Sequence, residues 1–499
     1  MASEKEYMIF RPNSARVWDF FTLVFSSKSL SKYDFVDTNT QASKSPMNIT
    51  SRLFILIFLF YSIICSLTSG VGNKFKSWLE YFLNNVLING GLFGLIKNTI
   101  KGSRRRPDPN ASYFRSMHSF VSGEVEDDKK LASHLGRPDQ EASYFQPEHG
   151  LVPNHLPGQK MLLHAKPTFL RSKLDTRVQE DGHMELAAFA SKLAYENQAH
   201  IQDIVNNHLK MHFVEFFKGW NFYVNACTTK AFICCDKRED AELIIVAFRG
   251  TDSIADWRCN LNMSFISMAN MGKVHLGFMT ALGLQKNPDL DKLQDAQMGF
   301  PKEYNGNEQL AYYSIREVLH GLLKKHKNAK ILVTGHSFGG ALSILYTSLL
   351  VMHEEHDILK RVSGVMTFGQ PRVGDACFGE AMVSILGKKY TRMVYRHDIV
   401  PRIPFEIPVI DFKHFGSCIS YNSWYYGKNV SEVPNRNYFN ALYILVKFWG
   451  AIEDFFRAIW VGEGFIATLN RLIWIIVPGV AFHNTKNYVN ATKKAKITY

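Results

Sequence analysis

Ile331-Leu-Val-Thr-Gly-His-Ser337-Phe-Gly-Gly340 is the stretch that decides how this chain is read. An apolar run ending at a glycine has the pattern of a short buried strand, and Gly340-Ala-Leu-Ser-Ile-Leu-Tyr-Thr-Ser-Leu-Leu350 has that of a helix. Between them lies Gly335-x-Ser337-x-Gly339. A strand-to-helix turn this tight presses backbone against neighbouring chain on both sides of the serine, a crowding that glycine tolerates best. In such a nucleophile elbow the serine hydroxyl stands above the sheet at a helix N-terminus, where the helix dipole favours negative charge. The bare pattern arises by chance in a chain of 499 residues. What lifts it above chance is its setting.

Downstream of Phe222, strand-like and helix-like runs alternate, which argues an α/β fold with a mostly parallel, doubly wound sheet and flanking helices. Ala231–Cys235, Leu243–Phe248, Gly364–Phe368 and Arg392–Tyr395 read as strands, Gln309–Lys325 as a helix, and Lys273–Gly277 as the start of a further element. Upstream, Gly182 to Gly219 carries Ala187, Phe189, Leu193, Ile201, Ile204 and Val205 at helical spacing and reads as one or two helices.

A serine hydroxyl is a weak nucleophile without a base, and the base needs a partner to fix its tautomer. In α/β-hydrolase topology these follow in the order Ser, Asp, His. Asp398 ends the strand Arg392–Tyr395, and Pro401 just beyond it stops further pairing. Asp375, the competing acid, comes one strand too early. His483 follows the Pro478-Gly479 break and is the last histidine of the chain. His414 is its rival, while His397 is too near Asp398 in sequence to reach the serine. A tetrahedral intermediate also needs two backbone donors. Phe338 supplies the amide after the nucleophile, and Thr251 in Arg249-Gly250-Thr251 supplies a second from the loop after an early strand.

Composition bounds the rest. Hydrophobic residues make up 46% and charged residues 21%, so most of the chain is expected to fold. A net charge of +13 comes with no zinc-finger, RNP-like or recognition-helix pattern, which points away from nucleic acid and towards an anionic lipid surface. The seven cysteines form no C-x-x-C pair, and Met-Ala-Ser-Glu-Lys-Glu lacks the form of a signal peptide, so free thiols in a reducing compartment are expected.

Three regions follow. Residues 1–106 hold the most hydrophobic run, 53–67, shorter than the roughly 20 residues a spanning helix needs, then an amphipathic stretch over 75–100 and the basic cluster Arg104-Arg-Arg106. This reads as a membrane-surface anchor, interfacial or re-entrant, with one ordinary spanning helix as the alternative. Residues 107–180 are a polar linker, and 181–499 are the α/β domain. Tyr438 to Val480 reads as two amphipathic helices, covering the core or facing lipid.

Five blocks in this order resemble the class 3 lipase family: Val246–Thr251, Gly272–Phe278, Thr334–Gly340, Phe368–Asp375 and His397–Pro401. The resemblance covers about residues 180 to 499 and implies an α/β-hydrolase fold, carboxyl-ester hydrolysis by Ser337, Asp398 and His483, and no metal or cofactor. His200–His208, Phe412–Gly416 and Pro434–Tyr438 resemble plant oil-body triacylglycerol lipases more closely. That implies triacylglycerol and partial glycerides as substrates and a cytosol-facing place on lipid droplets. The segment after Thr251 is compact, nearer the lid of secreted fungal relatives. Ile254 and Trp257 within Asp252–Met263 fall at helical spacing and make it a candidate amphipathic lid. Phospholipase A1 or galactolipase activity on the same fold, and a non-catalytic lipid-surface role, are the alternatives. Nothing in the sequence sets the oligomeric state.

Overall fold

The computed structural model describes residues 6–49, 51–60 in part, 86 and 89–104, 176–222, 226–251, 264–284 except 269, 300–404, 411–430, 441–460 and 478–498 except 495. The candidate lid with Ile254 and Trp257, most of the run 53–67 and of the stretch 75–100, and nearly all of the linker lie outside the described residues.

The chain opens with strand β1 (Tyr7–Phe10), helix α1 (Val17–Phe25) and strand β2 (Val36–Thr38). Helix α2 (Thr176–Leu193) leads to β3 (His212–Asn221), β4 (Ala226–Cys235) and β5 (Leu243–Phe248), followed by the short β6 (Phe265–Ser267) and β7 (Lys273–His275). Helix α3 (Ala311–Lys325) precedes β8 (Lys330–His336), α4 (Phe338–Met352), β9 (Val362–Phe368), α5 (Ala376–Leu386) and β10 (Tyr390–Tyr395). Strands β11 (Ser417–Tyr421) and β12 (Tyr426–Val430), helices α6 (Ala441–Trp460) and α7 (Thr485–Lys494), and strand β13 (Lys496–Thr498) complete the described elements.

The large sheet has the order β13-β12-β11-β10-β9-β8-β5-β4-β3. Its centre is parallel from β5 to β11, while β3, β4 and β5 are antiparallel neighbours and β12 runs against β11. The fold is therefore α/β, with a mixed, mostly parallel sheet and helices on both faces.

Alternation along β5 builds both layers. Ile244, Val246 and Phe248 pack on one face with Ile315 and Leu319 of α3, Leu342 and Leu345 of α4, and Met382 of α5. Leu243, Ile245 and Ala247 pack on the other face with Ala187 and Ala190 of α2 and Tyr488 and Val489 of α7. A strand covered on both sides loses the polar alternation of a half-exposed one, and all six residues of β5 are buried.

One sequence expectation needs amending. His212–Asn221 is a strand, not the end of a helical stretch. Its pairing with β4 shifts register between Phe213 and Glu215 and again between Gly219 and Asn221, so its sequence never shows a clean period of two. Residues 7–38, where no period is evident, form part of a second sheet of order β2-β1-β6-β7, and Tyr7 and Met8 pair with Ile266 and Phe265. The first strand of the 1–106 region is thus joined to the later domain. Of the two helices expected over Tyr438–Val480, the first is α6; residues 461–477, on which the second falls, lie outside the described residues, and Pro478–Ala481 forms a single turn. No helix among the described residues is long and apolar enough to cross a membrane.

Candidate active site

Strand β8 runs through the middle of the sheet, and its last residues turn directly into α4 at Ser337. Ser337 has φ 60° and ψ −129°, a left-handed backbone that a serine adopts only under external constraint. The constraint is visible in the hydrogen bonds. Its N–H donates to the Phe368 carbonyl of β9 at 2.8 Å, and its own carbonyl accepts from Gly340 N at 2.9 Å. The glycines around it are needed for space. A Cβ on Gly335 would run into the Gly339 backbone, and one on Gly339 into the Phe248 carbonyl.

Three side chains from separate segments meet here. Ser337 Oγ lies 2.7 Å from His483 Nε2, and His483 Nδ1 lies 2.7 Å from Asp398 Oδ2. With the carboxylate at Nδ1, that nitrogen carries the proton and Nε2 faces the hydroxyl as an acceptor. Asp398 is completely buried, and its other oxygen accepts the Val400 N–H at 2.9 Å. The rivals lie elsewhere. Asp375 caps α5, accepting from Phe378 N at 2.9 Å and from Lys273 N at 3.1 Å. His414 Nε2 sits 2.5 Å from the Pro401 carbonyl. His397 packs with Tyr443 and Phe482, and burial is the main cause that lowers its pKa to about 4.

Thr251 is buried at the end of β5, in a loop held close to the elbow: a Cβ on Gly250 would meet the His336 carbonyl at 2.7 Å. Phe338 opens α4, so its N–H is one of the four at a helix start without an intrahelical partner. Both expected oxyanion donors are thus on the rim of the elbow.

Three further contributors escape sequence reasoning. Tyr488, on α7, donates its hydroxyl to Asp398 Oδ2 at 2.5 Å and accepts the Tyr395 N–H at 3.3 Å. Burial, and then the Asp398 charge, raise its pKa well above that of an ordinary phenol, so the proton stays on the tyrosine. Its place five residues after His483 was the only hint. His336 is fully buried, with its ring centroid 4.5 Å from that of His483 and its Nδ1 2.8 Å from the Tyr195 hydroxyl. Burial, with the neighbouring His483 adding to it, pushes the His336 pKa well below the usual histidine range and keeps the ring neutral. Gly369, with φ 58°, packs on the group. A Cβ there would stand 2.9 Å from His483 Cε1 and from the Tyr488 hydroxyl, and 3.0 Å from Asp398 Oδ2.

Among the described residues no group of His, Cys, Asp or Glu side chains is placed to hold a metal ion. What the arrangement offers is a hydroxyl beside an oriented imidazole, a buried carboxylate behind it, and backbone donors alongside. That is the equipment for acyl transfer.

Residues 245–407 match the family Lipase (class 3). Triacylglycerol lipase OBL1 of Arabidopsis thaliana is 32% identical, over 98% of this chain and 94% of that one. The protein of the same name from Nicotiana tabacum is 32% identical, over 88% of this chain and 83% of that one. A lipase of Rhizomucor miehei is 32% identical over 34% of this chain and 39% of its own length. Ser337 and Asp398 fall within the matched stretch, whereas Tyr195, His483 and Tyr488 fall outside it.

Proposed function

The chain belongs to the class 3 lipases, hydrolases of lipid esters, and from that premise we propose that it is a triacylglycerol lipase working through Ser337, His483 and Asp398. The observation that carries the reading is the unbroken relay of two 2.7 Å contacts from Ser337 Oγ through the imidazole to a fully buried carboxylate. His483 Nε2 takes the serine proton as Oγ attacks the acyl carbonyl, and Asp398 stabilises the imidazolium that results. The Thr251 and Phe338 amides receive the developing oxyanion. The imidazolium then protonates the departing glyceride alcohol. Water, deprotonated by the same imidazole, releases the fatty acid and restores the serine.

The substrate assignment to triacylglycerol, with partial glycerides after it, is supported by the names of relatives that align along nearly the whole chain. Its working place is the surface of stored neutral lipid, facing the cytosol; exposed apolar side chains such as Trp18, Phe25, Phe93 and Trp449 support the part of this reading that needs an apolar surface. The test is purified full-length protein on emulsified triolein, diolein, phosphatidylcholine and galactolipid, with Ser337→Ala in parallel. We expect triolein to be hydrolysed fastest and the variant to lose at least about 10³-fold in rate while still binding emulsion. A faster rate on phosphatidylcholine or galactolipid would reassign the substrate. No hydrolysis by the wild-type protein would leave a non-catalytic lipid-surface role.

A further inference from the structure

Helix α6 is inside out. Its buried stripe is Lys447, Gly450, Ala451 and Asp454, at the i, i+3, i+4, i+7 spacing that a soluble helix normally fills with apolar residues. Its outward face is Leu445, Val446, Phe448, Trp449, Phe456 and Ile459, with Trp449 71% exposed against 4% for Asp454. The inversion is fastened. Arg396 bonds Asp454 and Glu453, each at 3.0 Å, and reaches the Gly450 carbonyl at 3.4 Å. Arg457 holds Glu453 at 2.6 Å and also donates to the Ser423 carbonyl. Rolling the helix to bury its apolar face would break the buried Arg396–Asp454 pair and strand its charges, a cost that holds the orientation.

We propose that this outward face is where the protein sits on a lipid surface, with Leu445, Trp449 and Phe456 inserting among acyl chains. The proposal rests on the reading of the chain as a lipase of insoluble esters. Three observations choose lipid as the occupant. The face combines tryptophan and phenylalanine with aliphatic residues, the mixture that settles at a membrane–water boundary. A further exposed tryptophan, Trp424 in the turn between β11 and β12, is tied to the same helix, lying under the Arg457 guanidinium at 5.5 Å. The helix that carries the face is also tied, through its inner side, to the catalytic segments. Arg396, which grips the helix, stands two residues before Asp398, and the same guanidinium covers the ring of Phe482, next to His483, at 5.2 Å. Arg396 therefore links the helix to the segments that carry the acid and the base.

The test uses the full-length protein and floats it with triolein droplets coated in phosphatidylcholine. Trp449→Glu with Phe456→Glu should cut the floated fraction at least about tenfold, since each removes a large apolar side chain from the boundary and adds a charge. Hydrolysis of a soluble short-chain ester should stay within about twofold, because neither side chain touches the triad. Trp449→Leu, which keeps the face apolar, should keep flotation. Unchanged flotation in the double variant overturns the proposal. So does an equal fall in flotation and soluble-ester rate, which makes α6 a part of the folded core. A wild-type dimer that the double variant converts to monomer assigns the face to a second copy of the chain and also overturns it. Wild-type protein that floats but hydrolyses no ester sinks the lipase reading and leaves the docking face standing.

Discussion

Replacing Tyr488 by phenylalanine removes one oxygen from behind the proposed triad, and the structure sets what that oxygen does. It donates to Asp398 Oδ2 at 2.5 Å while His483 Nδ1 stands 2.7 Å from the same oxygen and Val400 N–H binds the other at 2.9 Å. Three donors therefore hold a carboxylate with no exposure to water, and the substitution leaves two. A hydrogen bond to a buried charge contributes about 1.5–3 kcal/mol. If half or more of that bears on holding the imidazole towards Ser337, kcat falls about tenfold, at 1.4 kcal/mol per decade. KM should stay within about twofold, because Tyr488 lies behind the acid and touches no substrate. The remainder appears as stability, a melting temperature lower by about 2–4 °C per kcal/mol. The phenol holds its proton well past the ordinary range, so the donor persists across neutral pH and adds no alkaline limb of its own there. Steady-state kinetics on a soluble ester, paired with thermal unfolding, read both parts. A melting temperature that falls while kcat stays within twofold would make Tyr488 a packing residue and refute the argument.

Two more substitutions probe the surroundings of the same group. Gly369→Ala puts a methyl 2.9–3.0 Å from His483, Tyr488 and Asp398 at a φ of 58°, so it should cost about 1–2 kcal/mol of stability and tenfold or more in kcat, and a wild-type rate would mean that the triad yields without consequence. Tyr195→Phe strips the fully buried His336 of its 2.8 Å partner at Nδ1, and we expect about 1–3 kcal/mol of destabilisation and a several-fold loss in kcat at constant KM; a stability loss alone would confine the pair to structure.

What the sequence revealed and what it hid divide along a physical line. Ser337 lies in a local pattern, a strand and a helix joined through glycines, so neighbouring residues carry the information. Asp398 and His483 were named from chain order, and the fold brings both to the serine. Tyr195, Tyr488 and Gly369 have no local signature. Each acts only because a helix or a strand end crosses the site in three dimensions, and one sequence does not record which crossing occurs. Strand His212–Asn221 was hidden by its two register shifts, which spoil the period that marks a strand. The direction in which α6 faces stays open in the sequence for another reason. Periodicity shows that a helix has two unlike faces, but the usual inference that the apolar one points inward is an assumption about solvent. Lys447 and Asp454 on the buried side reverse it.

That reversal bears on how the site is held together. The stretch matching the family ends at residue 407, after the serine and the acid but before the base. His483 must therefore be delivered by a segment beyond it, and two features of the structure do this. Helix α7 packs Tyr488 and Val489 beneath the sheet and anchors the loop from its C-terminal side. Arg396 reaches Phe482 and α6 and anchors it from the other. The same arginine is separated from Asp398 only by His397, so one guanidinium connects the acid's strand end, the base's loop and the helix with the apolar outer face. Contacts of 2.7 Å leave little tolerance, since displacing a reacting group by about 1 Å costs on the order of 100-fold in rate. A helix fastened to both segments through one guanidinium helps hold the spacing of the triad. Its polar inner face then has a reason beyond solubility: ion pairs fix direction and distance in a way that apolar packing does not.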